Sequence, residues 1–121
     1  MFWLLIADQN KMFRKVFRSF LMRHLDKINI EEAESAEKLL ATFSGIPPFL
    51  IFLDIHLPGG NGLKMTRKIK MLYPQIPVIV LTNFDSNDYR QAAYQHGADY
   101  FFSKPAIKIK EVLNLIRSYI D

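Results

Sequence analysis

Residues 49–58 read Phe-Leu-Ile-Phe-Leu-Asp54-Ile-His-Leu-Pro, and no other stretch narrows so far what this chain can become. Five large apolar residues without polar alternation suit a strand buried on both faces, as in parallel sheets. Pro58, Gly59 and Gly60 then break the chain. Asp54 therefore falls at or near the C-terminal end of that strand, the edge at which open α/β sheets bind ligands. A carboxylate there is costly to bury unless a cation or a hydrogen-bond donor compensates it.

The rest of the chain alternates apolar runs with amphipathic stretches, the pattern of an α/β fold with a parallel sheet. Strand-like runs cover residues 2–7, 28–33, 49–53, 78–81 and 100–102. In the first helix-like stretch Phe13, Val16, Phe17, Phe20, Leu21 and Leu25 recur at helical spacing. Ser35 is a natural N-cap for the second, whose face carries Ala36, Leu39, Leu40 and Phe43. The third spans about Gly62 to Tyr73 and stops before Pro74. The fourth covers roughly 88–96 and ends at Gly97, a C′ glycine. The fifth carries Ile109, Val112, Leu113, Ile116 and Ile120. The expectation is one domain over residues 1–121, a (βα)5 three-layer sandwich with helices on both sheet faces.

Four strands end in a group capable of chemistry: Asp8, Asp54, Thr82 and Lys104, the last before Pro105. In a parallel sheet these ends share one edge. Two carboxylates brought close repel, and one takes up a proton unless a cation intervenes. Asp8 and Asp54 thus suggest a hard divalent ion. Mg2+ suits best, because it binds few carboxylates, keeps waters and accepts phosphate oxygens. Lys104 can serve as a point charge toward a phosphoryl group, and the Thr82 hydroxyl can donate to a phosphoryl oxygen. Asp54 would be the nucleophile. Singly, each residue is ordinary: a strand-end Asp is commonly a turn or cap residue, and Thr a simple strand former.

Charge and composition close off other classes. With no cysteine, there is no disulfide, thiolate metal site or Cys nucleophile. The apolar run 1–7 stops at Asp8 and is too short for a signal peptide or a membrane span, so a soluble, cytoplasmic protein is expected. The net charge is +4. Basic residues gather in the first helical stretch (Lys11, Arg14, Lys15, Arg18, Arg23 and Lys27 against Asp26) and in the third (Lys64, Arg67, Lys68, Lys70), while Glu31, Glu32, Glu34 and Glu37 form an acidic counterpart. They read either as solvated helix faces or as steering for an acidic partner. His24 and His96 read as helix-end residues.

The motifs Leu-Leu-Ile-Ala-Asp8, Asp54-Ile-His-Leu-Pro58-Gly-Gly-Asn-Gly62, Ile-Val-Leu-Thr82 and Gly97-Ala-Asp-Tyr-Phe-Phe-Ser-Lys104-Pro105 together span the chain. Through them it closely resembles the receiver domain of bacterial two-component response regulators, of the chemotaxis-regulator type. The resemblance implies the flavodoxin-like strand order 2-1-3-4-5, with helices one and five on one face and two, three and four on the other. It implies that a histidine kinase or phosphotransfer protein, docking at helix one, donates a phosphoryl group to Asp54 with Mg2+. Asp8, Asp54 and the backbone carbonyl of His56 would hold the metal. Thr82 and Lys104 would contact the phosphoryl group, and Phe101 would rotate inward as Thr82 moves. The helix-four, strand-five, helix-five face would switch and could form a homodimer. The Lys104–Pro105 bond is often cis in the family.

Two departures stand out. The family usually has two adjacent acids after strand one, whereas this chain has Asp8-Gln9. Losing a direct ligand should weaken metal binding at least as much as an outer-shell change, roughly 10- to 100-fold. Either the pocket is metal-poor, or Asp8 and Asp54 still hold Mg2+ at millimolar concentration. Asn83 stands where relatives mostly have a small residue, and His56 and Phe84 flank the pocket mouth, where acyl-phosphate lifetime is tuned. Gln9 and Asn83 raise an alternative, a pseudo-receiver that works as an interaction module without phosphorylation. A phosphoaspartyl phosphatase of the haloacid-dehalogenase type is a third reading. It would need a second Asp where His56 stands, to serve as acid and base. The segment carries no nucleic-acid motif of its own; nucleic-acid binding would need an output domain not found within these residues. The chain is expected to be either a stand-alone receiver or the input part of a longer regulator.

Overall fold

A computed structural model describes residues 2–83 and 86–120 of the chain. Its elements alternate strictly: β1 (Phe2–Ala7), α1 (Lys11–His24), β2 (Ile28–Ala33), α2 (Ala36–Ala41), β3 (Leu50–Asp54), α3 (Gly62–Leu72), β4 (Val78–Thr82), α4 (Asn87–Gln95), β5 (Tyr100–Ser103) and α5 (Ile109–Ile120). The strands pair in parallel in the order β2-β1-β3-β4-β5. The (βα)5 architecture and strand order expected from the sequence are those observed.

Every residue of β3 and β4 is buried, so alternate side chains feed two separate cores. Leu50 and Phe52 of β3 join Phe17 and Leu21 of α1 and Val112 and Ile116 of α5. Ile51 and Leu53 face the other way, toward Leu39 of α2, Met65 and Ile69 of α3 and Ala93 of α4. Side chains of this size stabilise the fold by about 1.5–3 kcal/mol each when fully buried, which gives the sheet edge a rigid base.

Helix ends follow local chemistry. Asn10, Ser35, Asn61 and Ser86 cap α1, α2, α3 and α4, each accepting a backbone N–H of its first turn. Because Ser86 is the cap, α4 begins at Asn87, one residue before the expected start. At its other end Gly97 has φ +100°, its N–H bonds to the Tyr94 carbonyl, and the Ala98 N–H bonds to the Ala93 carbonyl. That is a Schellman termination, and the left-handed residue it needs is the glycine.

Three expectations need correction. Val16 lies on the apolar stripe of α1 by spacing yet is 59% exposed, because α1 buries only a narrow face beside α5. Leu40, similarly, stands exposed on the short α2. The Lys104–Pro105 bond is trans: no cis peptide occurs among the described residues, and Pro105 sits in a 3-10 turn at Lys104–Ala106, where its fixed φ fits.

Candidate functional site

Strand register brings the polar strand ends together. Ala7 pairs with Leu53 across β1 and β3, so Asp8 and Asp54 leave the sheet side by side. Asp54 pairs with Leu81, and Thr82 pairs with Ser103, so Thr82 and Lys104 follow on the same edge. Asp8, Asp54 and Thr82 are all buried, and the Lys104 side chain is 7% exposed.

The two carboxylates are held alike. Asp8 Oδ1 accepts the Asn10 N–H at 2.8 Å, and Asp54 Oδ1 accepts the His56 N–H at 3.0 Å. Each is a local turn closed by an Asp side chain on the backbone two residues on. Each leaves its Oδ2 toward Lys104, whose Nζ is 2.5 Å from Asp8 and 3.8 Å from Asp54. One ammonium thus neutralises part of a two-carboxylate pair, and it favours Asp8. Burial still pushes the Asp8 carboxyl above the ordinary carboxylate range; Lys104 and the Asn10 N–H pull it down, and the Asp54 charge adds to the rise.

These residues fit a magnesium ion. Asp8 Oδ2 is buried and, among the described residues, takes no aligned hydrogen bond; the Lys104 ammonium is its charge partner. Mg2+ needs only one or two carboxylates, with waters and phosphate oxygens completing its shell. No group of three or more acidic, His or Cys side chains with metal-site spacing occurs among the described residues. Gln9, which follows Asp8 in the chain, is exposed.

Gly62, the last residue of the Asp54 motif, has a steric reason. A Cβ there would lie 2.4 Å from the Asp54 carbonyl oxygen and 2.6 Å from the Ile55 Cα. The first turn of α3 therefore packs directly on the backbone that presents Asp54, with Gly62 N–H bonded to the Ile55 carbonyl at 3.0 Å.

Around the mouth, His56 and Asn83 are exposed, and the His56 ring meets Tyr89 of α4 edge-on at 5.8 Å. Phe84, the remaining residue read as a pocket modifier, lies outside the described residues. Phe101 is 4% exposed, and the Arg90 guanidinium of α4 lies 4.8 Å above its ring centroid. His24 and His96 sit at helix ends, each ring nitrogen against a carbonyl four residues back.

Two residues of the site escaped sequence reasoning. Arg14, read as part of a solvated basic face, is 8% exposed. Its Nη1 donates to the Asp8 carbonyl at 2.5 Å and its Nε to Glu32 Oε1 at 2.9 Å, while Arg18 reaches Glu32 Oε2 at 3.1 Å. The signal was present in the spacing: Arg14 lies three residues before Phe17 and seven before Leu21, on the buried stripe. Phe13, read as part of the apolar face, does pack against the core and in addition lies under Lys104, whose Nζ is 4.5 Å from its ring centroid. The basic charges of α3 divide too: Lys70 pairs with Asp99 at 2.9 Å, whereas Lys64, Arg67 and Lys68 are exposed.

The sequence profile of the response regulator receiver domain matches residues 4–117. The sensory transduction protein LytT of Oceanobacillus iheyensis is 28% identical over 98% of this chain and 49% of its own length. The DNA-binding transcriptional regulator NtrC of Salmonella typhimurium is 33% identical over 73% of this chain and 19% of its own. The chain thus spans half or less of these relatives. The signal receiver domain of a DNA-binding response regulator from Colwellia psychrerythraea 34H superposes with a TM-score of 0.92 at 22% identity, covering 99% of this chain and 98% of that one.

Proposed function

The chain belongs to the response regulator receiver domain family, whose members are phosphoacceptors in two-component signalling, and from that premise we propose that Asp54 is its phosphoacceptor. The observation that carries this is the paired carboxylate geometry, in which Asp8 and Asp54 aim their Oδ2 atoms at one buried lysine. An Asp54 carboxylate oxygen attacks phosphorus, the bond from phosphorus to the donor nitrogen or oxygen breaks, and the donor leaves with that electron pair. The product is an acyl phosphate. Lys104 neutralises charge on the transferred group, and the Thr82 hydroxyl donates to one of its oxygens. The Asp54–His56 turn keeps the carboxylate in one rotamer, so that catalysis is mainly positioning and charge neutralisation. A bound Mg2+, held by Asp8, Asp54 and the His56 carbonyl, would supply further charge neutralisation on the phosphoryl oxygens.

In this reading the chain is a single receiver domain and a signalling switch, and it performs no chemistry beyond making and losing its own acyl phosphate. A histidine kinase or phosphotransfer protein docks at α1, where Lys11, Met12, Lys15 and Val16 are exposed beside the site. The switch runs through Thr82 and Phe101 to the face of α4, β5 and α5, which is also the surface for a homodimer. No helix among the described residues is long and apolar enough to cross a membrane, in keeping with a cytoplasmic role. Gln9, Asn83, His56 and Phe84 set access and phosphoryl lifetime. Any contact with nucleic acid would run through an output domain, as the names of the DNA-binding relatives suggest.

One observation favours the second reading, a phosphorylation-independent interaction module. Lys104 already supplies one cation to the carboxylate pair, so part of the pocket's charge is compensated with no metal. Intact-mass spectrometry after incubation with acetyl phosphate separates the two. A Mg2+-dependent phosphoryl adduct that is absent in Asp54→Asn supports the phosphoacceptor. No adduct in wild type, from acetyl phosphate or from a phosphorylated kinase domain, supports the interaction module.

A further inference from the structure

Four residues close a circuit at the β1 edge. Asp8 Oδ1 accepts the Asn10 N–H, Asn10 Oδ1 accepts the Phe13 N–H at 3.0 Å, the Phe13 ring lies 4.5 Å from Lys104 Nζ, and Lys104 returns to Asp8 Oδ2. Phe13 is itself fixed from behind. It stacks on Phe17 at 5.3 Å, and Phe17 meets the fully buried Phe52 edge-on at 5.0 Å. The Lys104 stem lines a groove of about 200 Å3 together with Phe13, Phe17, Ile107 and Ile109. An ammonium in such a place has few waters, and an aromatic face is the one apolar surface that attracts it electrostatically.

We propose that Phe13 is a positioning residue for phosphoryl transfer: its ring sets the Lys104 ammonium over the carboxylate pair, in reach of the group that Asp54 receives. This rests on Asp54 being the phosphoacceptor. Without the ring, Lys104 retains Asp8 as a partner, but its flexible four-carbon stem is free to sample poses that leave the phosphoryl site. A lysine held in place before the donor arrives requires no reorganisation during transfer. Phe13 touches neither donor nor phosphoryl group, so its effect falls on the transfer rate and not on donor binding.

The test uses the whole chain with Phe13→Leu, which keeps apolar bulk, and Phe13→Trp, which keeps an aromatic face. Acetyl phosphate with Mg2+ is the phosphodonor, and a proton–carbon correlation spectrum reads the Lys104 side chain. The expected result for Phe13→Leu is a maximal phosphorylation rate lower by about 2- to 30-fold, the span of a cation–π contact, at unchanged half-saturating donor concentration. The Lys104 Hε signals, shifted upfield by the ring in wild type, return to ordinary values. Phe13→Trp restores both rate and shift. A wild-type rate in Phe13→Leu overturns the proposal. So does a slow Phe13→Leu with an unchanged Lys104 shift, because the loss then comes through the packing of Phe17. If wild type takes no phosphoryl group at all, the phosphoacceptor reading fails, and the lysine's placement by Phe13 is decided by the shift alone.

Discussion

Arg14 Nε and Glu32 Oε1, eighteen residues apart in sequence, stand 2.9 Å apart where α1 crosses β2. The same guanidinium holds the Asp8 carbonyl, so one side chain ties the loop that carries Asp8 to the edge strand of the sheet. Arg14→Ala leaves that carbonyl without its donor and Glu32 without its closer cation. Glu32 is 28% exposed, which softens the loss from the level of a fully buried pair. The expected destabilisation is about 2 kcal/mol in urea unfolding. Arg14→Lys should recover little, since an ammonium cannot span both acceptors. A change below about 0.5 kcal/mol, as for an ordinary surface residue, would remove Arg14 from the site.

The Asp8 carboxyl titrates above the ordinary carboxylate range, chiefly because it is buried. A folded value raised above the unfolded one means that the neutral form is the better-tolerated one. The resulting stability is complete at pH below the unfolded value and is lost as pH rises through the folded value. At neutral pH, without metal, the ionised Asp8 is therefore a net liability to the fold. Asp8→Asn should raise the melting temperature at pH 7, and the gain should shrink toward pH 3. In the same variant the stabilisation produced by added Mg2+ should fall. A lower melting temperature at pH 7 would mean that the Lys104 contact outweighs burial.

Gly62→Ala puts a methyl group 2.4 Å from the Asp54 carbonyl oxygen, a contact that only a backbone shift relieves. Helix propensity alone would favour alanine by up to about 1 kcal/mol, so the sign of the measured change decides between the two effects. Overpacking against backbone should win, with a net loss of about 1–3 kcal/mol. Amide shifts should move at Asp54, Ile55 and His56 more than at the far end of α3. A stabilised Gly62→Ala would show that the close approach is relieved easily.

Gln9→Asp adds a third carboxylate to the edge that holds Asp8 and Asp54. Mg2+ affinity should tighten by about tenfold or more, the scale on which even outer ligands act. The metal-free protein should become less stable, because the new acid repels the two already there. Titration calorimetry for Mg2+ and melting with and without the ion read the two halves separately. Equal affinities in Gln9→Asp and wild type would mean that residue 9 lies out of reach of the ion.

Much of this was legible in sequence because strand ends and apolar runs are local signals. The run 49–53 announced a strand buried on both faces, and register in a parallel sheet did the rest, aligning Asp8, Asp54, Thr82 and Lys104. Helical spacing put Arg14 on the buried stripe, but its partners come from the loop after β1 and from β2, and a basic residue among Lys11, Lys15 and Arg18 looks solvated. Phe13 was legible as apolar but not as a lysine platform, which depends on how the turn after β5 folds back over α1. The trans Lys104–Pro105 bond was beyond reach for a similar reason: the energy gap between isomers is about 0.5–1 kcal/mol, small enough for tertiary context to decide.

Phe101 and Arg90 offer the last prediction, on the proposed switch. The ring is buried on the α4 side of the sheet, and the guanidinium of Arg90 covers it at 4.8 Å. Arg90 has other interactions as well, so a single substitution mixes several losses. A double-mutant cycle with Arg90→Gln and Phe101→Leu isolates the pair, because losses that do not involve the ring cancel. The expected coupling is about 0.5–2 kcal/mol, from an exposed to a desolvated cation–π contact. If Phe101 belongs to the switch, repeating the cycle on the phosphorylated chain should give a different coupling, because a ring that has turned meets Arg90 differently. A coupling unchanged by phosphorylation would separate Phe101 from the switch. A coupling near zero in both states would reduce the contact to simple proximity.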